Sequence, residues 1–144
     1  MGLITPTLQL SNAKRRGQHA VNVDALVDTG ALHLCIPEHI AIQLRLDEVE
    51  KREVTTADGK RHLVPYAGPV IIQFKGRNCI TGALVLGDGV LLGAIPMEDM
   101  DLVINPATQC ITANPASPNI PTSVAKGLIR YPAMASKPNT ACIS

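Results

Sequence analysis

The sequence predicts an all-β fold, a small closed barrel-like sandwich with one or two short helices. Three observations predict it. Hydrophobic residues make up 46% of the 144, yet there is no Trp, one Phe and two Tyr, so the core is built from Val, Ile, Leu and Ala; β-branched content of that kind favours strands. Val21, Val23, Ala25 and Val27 alternate with Asn22 and Asp24, the period of a half-buried strand. Short apolar runs recur between Gly-, Pro- and Asn-containing turns along residues 1–114, the pattern of many short strands.

The elements follow in order. Residues 3–10 form the first strand and 12–17 a polar turn. Residues 21–27 form the second strand and 32–36 the third. Pro37 suits a helix start, with Glu38 favourable beside the N-terminal dipole. Ile40 and Leu44 share one face, so 37–45 reads as a short amphipathic helix. Residues 54–56 and 63–66 flank Ala57-Asp58-Gly59-Lys60, and Asp-Gly between strand-like runs signals a hairpin. Residues 70–74 and 80–86 pair around 75–78. Residues 90–92 are a short apolar run ending at Gly93, and 96–100 starts a brief helix. Residues 102–104 and 109–112 pair around 105–108.

Composition divides the chain near residue 114. Residues 115–144 hold five of the eleven prolines, three basic residues and no acid. Proline lacks the N–H a ladder needs, so the expected organisation is a domain over 1–114 and a Pro-rich, extended, flexible tail over 115–144. Leu128, Ile129 and Tyr131 are bulky apolar residues clustered within the tail. They could enter a substrate cleft, although an inert tail is the simpler expectation.

Charge and composition exclude other classes. A net charge of +1 argues against nucleic-acid binding, which needs a cationic surplus, and the shortage of aromatic rings argues against base stacking. No apolar run approaches the roughly 18 residues of a membrane span, and 1–6 does not look like a signal peptide. The expected compartment is the cytoplasm, with no membrane partner. The four cysteines form no CxxC and are expected as free thiols. His33, Cys35 and His39 lack a fourth ligand for structural zinc, so no metal and no cofactor is expected.

The chemistry-bearing segment is Asp28-Thr29-Gly30-Ala31, reached directly from an apolar strand. A carboxylate so placed is delivered from a rigid element. The second informative segment is Leu91-Leu92-Gly93-Ala94-Ile95, where a glycine without a Cβ lets another backbone approach. In this order, with the Asp58-Gly59 hairpin between them, these residues resemble the retropepsin-like aspartic proteases over most of the chain, more closely the cellular, bacterial-type members than the viral ones.

The resemblance implies a catalytic Asp28 and an active-site loop of Thr29, Gly30 and Ala31. It further implies a flap at Ala57, Asp58, Gly59 and Lys60, and a late glycine segment of Leu91, Leu92, Gly93, Ala94 and Ile95 crossing beneath the loop. It also places residues 3–8 and 111–114 at a dimer interface. Leu32 and Ala94 stand where viral members usually carry Asp and Arg, so the polar network of those two residues is absent. One chain has one Asp-Thr-Gly, whereas hydrolysis by carboxylates needs an acid and a base. The expected function is therefore an aspartic endopeptidase acting on peptide or protein substrates as a homodimer. The alternative is a catalytically silent module of the same fold that dimerises or binds extended peptides.

Overall fold

The structure, a computed structural model, describes residues 3–15 and 17–125. Its elements are β1 (Thr7–Asn12), β2 (Val21–Val27), β3 (Leu34–Ile36), α1 (Glu38–Gln43), β4 (Asp47–Thr55), β5 (Arg61–Phe74), β6 (Arg77–Val85), β7 (Val90–Leu92), α2 (Ala94–Asp99), β8 (Leu102–Asn105) and β9 (Cys110–Ala113). The main sheet runs β1-β2-β7-β3-β6-β5-β4, and β1 also pairs with β5. That pairing closes six strands into a barrel and leaves β4 outside as one arm of a hairpin. β8 and β9 form a separate two-stranded sheet. The fold is mostly β with two short helices, as the apolar alternation predicts.

The core is aliphatic. Leu8, Leu10, Leu34, Ile36, Leu44, Ile72, Leu92, Met100 and Ile111 are fully buried. In β1 the inward positions are Leu8, Leu10 and Asn12. The buried Asn12 amide donates to the carbonyls of Leu44 and Arg45 at 2.9 and 3.0 Å, which supplies donors to the carbonyls left open where α1 ends.

Several boundaries differ from the sequence expectation for identifiable reasons. The first strand starts at Thr7 rather than at residue 3, because Pro6 cannot donate to a ladder. The carbonyls of Ile4 and Pro6 still accept bonds from the N–H groups of Val27 and Ala25. α1 is shorter than 37–45: Pro37 is its extended N-cap, and Arg45 turns left-handed at φ 55°. α2 begins at Ala94, before Pro96, since a first-turn proline forfeits no helical bond.

The hairpin of β4 and β5 is longer than expected. Residues 47–53 are almost all exposed, so no apolar alternation marks them as strand. The two runs at 63–66 and 70–74 join into one β5, with a register shift between Ala67 and Val70. Phe74 pairs with Arg77 across Lys75 and Gly76, whose φ values are 46° and 80°. Two consecutive positive φ angles make the mirror-image turn that matches strand twist.

Beyond Asn114, Ser117 and Thr122 are bonded to the body. Asp101 accepts hydrogen bonds from the Ser117 hydroxyl, the Asn114 amide (3.1 Å) and the Thr122 N–H (2.9 Å). Arg77 is buried and donates to the carbonyls of Met100 and Ser117. Leu128, Ile129 and Tyr131 lie outside the described residues.

Candidate active site

Asp28 sits one residue past the end of β2. That strand is held by β1 on one side and by a parallel pairing with β7 on the other, with Leu26 opposite Leu91 and Val27 opposite Leu92. The Asp28 N–H donates to the Leu92 carbonyl at 3.0 Å, extending the pairing to the carboxylate-bearing residue itself. The chain then turns sharply. Ala31 N–H donates to the Asp28 carbonyl at 3.1 Å, and Gly30 N–H donates to Asp28 Oδ1 at 3.0 Å. The side chain is thus oriented by its own loop, the local bonding that Asp favours in turns. Asp28, Thr29 and Gly30 are exposed. Among the described residues the second carboxylate oxygen has no protein partner, and neither does the Thr29 hydroxyl.

The glycines have separate roles. A Cβ on Gly30 would lie 3.2 Å from Asp28 Oδ1, crowding the carboxylate. A Cβ on Gly93 would lie 2.5 Å from the His33 carbonyl oxygen and 2.6 Å from the Leu32 carbonyl carbon. The Leu32-His33 backbone therefore passes directly over Gly93. Two bonds lock this crossing: Ala94 N–H to the Ala31 carbonyl at 2.8 Å, and Ile95 N–H to the Leu32 carbonyl at 2.9 Å. The structure brings together Asp28, Thr29, Gly30 and Ala31 with Leu91, Leu92, Gly93, Ala94 and Ile95 in one backbone-bonded unit.

Ala57, Asp58, Gly59 and Lys60 lie at the tip of the β4–β5 hairpin. Thr56 N–H donates to the Lys60 carbonyl and its hydroxyl to Asp58 Oδ1, while Gly59 takes φ 82°. The Thr56 hydroxyl and the Lys60 N–H together hold the Asp58 carboxyl below its ordinary range. The tip is a tightly bonded turn.

Nothing in the sequence signals the contact that joins this hairpin to the segment after the Asp28 loop. The Arg52 guanidinium lies 3.6 Å over the Tyr66 ring, and the His33 ring meets Tyr66 edge-on at 6.1 Å. Arg52 Nε donates to Glu50 at 2.7 Å. The Tyr66 ring occupies the space a Gly82 Cβ would take, 2.2 Å away. Burial, then the Arg52 charge, holds the His33 imidazole below its ordinary pKa. No spacing rule connects residues 33, 52, 66 and 82, which lie on four different segments. The Cys35 thiol is pushed up by burial and then by the negative charge of Asp28.

The chain is similar in structure to the EIAV protease complexed with the inhibitor HBY-793, with a TM-score of 0.52, 21% identity, and coverage of 67% of this chain and 86% of that one. It also matches the solution structure of the Simian Foamy Virus (mac) protease, with a TM-score of 0.41, 20% identity, and coverage of 64% and 91%. No family model and no curated protein matches the chain. The fold is retropepsin-like, that of the EIAV protease.

Proposed function

We propose that the chain is an aspartic endopeptidase working as a homodimer, each copy supplying one Asp28. The observation that carries this reading is the setting of Asp28: an exposed carboxylate on a loop fixed at both ends by the Gly93 segment, in a retropepsin-like barrel. Two carboxylates about 3 Å apart share one proton, so one is base and the other acid. The base takes a proton from water as the water oxygen attacks the peptide carbonyl carbon. The acid gives its proton to the carbonyl oxygen. Collapse of the tetrahedral intermediate then moves a proton to the departing amine nitrogen.

A second copy is the simplest source of the second carboxylate. Asp101 is already engaged by Ser117, Asn114 and Thr122. Asp88, Glu98 and Asp99 lie in other segments than the bonded loop. A two-fold axis beside Asp28 brings two copies of the same loop together, and it offers the Thr29 hydroxyl a partner that one chain does not. The tip at Ala57–Lys60 acts as the cover over a bound peptide. The chemistry needs no cofactor.

The test is incubation of the full chain with a mixed peptide library between about pH 4 and pH 7. Wild type cleaves; Asp28→Asn, which keeps the shape but not the acid–base pair, does not. Equal cleavage by both proteins overturns the reading.

A further inference from the structure

We propose that the cavity beside the Asp28 loop receives a long basic side chain of the substrate, a lysine or arginine next to the bond that is cut, and that Asp88 selects it. The inference rests on the protease reading above and concerns what that site accepts.

The cavity measures about 310 Å³ and lies against the end of β2 and the start of β7. Its walls are apolar: Leu26, Leu86, Val90 and Leu91 line it, with the Cys35 thiol. Leu26 and Leu91 are register partners in the parallel pair, and Cys35 is the partner of Leu91 on the other side. Three adjacent strands therefore fix the wall, and Asp28 follows Leu26 by two residues. Cys35, in the same lining, has its thiol raised by burial and, second to that, by the Asp28 charge.

Asp88 is the one charged side chain of the lining. It stands exposed between Gly87 and Gly89, with Gly87 at φ 79°. Among the described residues it makes no hydrogen bond or ion pair. An apolar wall ending in a free carboxylate is complementary to an aliphatic stem ending in a cation. The stem buries along Leu26 and Leu91 and the head reaches Asp88, the way long basic side chains divide between apolar surface and charge. An uncharged aliphatic side chain fills the wall but leaves Asp88 unpaired. An acidic one meets repulsion from Asp88 and Asp28 together.

Two measurements test this. In the first, a peptide cleaved by the full chain is varied only beside the scissile bond, with Lys, norleucine or Glu. Lysine is expected to exceed norleucine in kcat/KM by about fivefold, the scale of a rim ion pair. That ratio falls to near one in Asp88→Asn, and Glu overtakes Lys in Asp88→Lys. A wild type that cleaves but does not prefer Lys overturns the inference and leaves the protease reading standing.

The second measurement needs no turnover. Burial pushes the Cys79 thiol up to about 12, so with Cys110→Ser and Cys142→Ser the reactive thiol is Cys35. Its modification by aminoethyl methanethiosulfonate is compared with that by sulfonatoethyl methanethiosulfonate, read by mass spectrometry. The cationic reagent is expected to react faster, and Asp88→Asn to reduce the ratio severalfold, less so at high salt. A ratio unchanged by Asp88→Asn overturns the inference even for a protein that cleaves nothing.

Discussion

At the scale of single residues, Gly93 is where sequence and backbone are most tightly bound together. A methyl group there meets the Leu32-His33 backbone at 2.5–2.7 Å, and a main chain held by bonds on both sides cannot yield as a flexible side chain could. Gly93→Ala is expected to cost about 1–3 kcal/mol, the range for forced overpacking, measured as a lower denaturant midpoint with an unchanged slope. His33 makes a second test. Its pKa in the folded chain is lowered by burial and by Arg52, so the unfolded chain binds this proton more readily. Above the ordinary value of 6.5 both states are neutral and His33 has no effect on pH dependence. As the pH falls below it, charging the imidazole favours the unfolded chain. His33→Gln is therefore expected to narrow the gap between denaturation midpoints at about pH 7.5 and about pH 5. A gap as wide as that of wild type counts against the Arg52–Tyr66–His33 contact.

At the scale of elements, the segment after β9 behaves as a clasp. Asp101, which turns left-handed at φ 54° directly after α2, gathers donors from Ser117, Asn114 and Thr122. These bonds, the Ser117 hydroxyl first, hold its carboxyl well below the usual carboxylate range. A depressed carboxyl contributes stability above its unfolded value and loses it as the pH falls through the folded one. The clasp is thus expected to hold through the mildly acidic range in which carboxylate proteases act. Asp101→Ala removes the acceptor of the Thr122 N–H. Faster hydrogen exchange at that amide, with exchange in β2 and β7 unchanged, is the expected outcome; protection equal to wild type would show the segment is held by other contacts.

For the whole molecule, the exposed side chains beside the site bear on assembly. Leu32 is 60% exposed and Ile95 45% exposed, and their backbones are bonded to each other next to the Asp28 loop. In the proposed homodimer, a partner bringing its own Asp28 to this face would cover them. A contact made by these two apolar side chains offers no ion pair for added salt to screen, so salt is not expected to weaken it. Specific activity is expected to fall on dilution through the dissociation range and to hold as salt is raised at fixed concentration. A sedimenting monomer with full activity would refute the shared site. The N-terminal segment and β9 also border a common groove, with Ile4, Pro6 and Ile111 in its lining, so the two segments expected at the interface are neighbours.

What the sequence determined by itself is local. The alternation in residues 21–27, the Asp-Thr-Gly after it, the Asp-Gly turn and the apolar pair before Gly93 each announce a strand, a loop or a turn through chemistry contained within a few residues. Those signals were enough for the mostly β barrel fold. The tertiary structure decided what depends on distant partners. The charged 47–53 run becomes a strand only because β5 lies beside it, since an arm exposed on both faces needs no apolar period. Arg77, expected in the 75–78 connection between two strands, is buried because the carbonyls of Met100 and Ser117 converge on it. Asp88 borders an apolar cavity because β2, β3 and β7 meet there. Periodicity reports which face of an element is dry, whereas the partner of a charged group is set by chain closure, which no window of neighbouring residues contains.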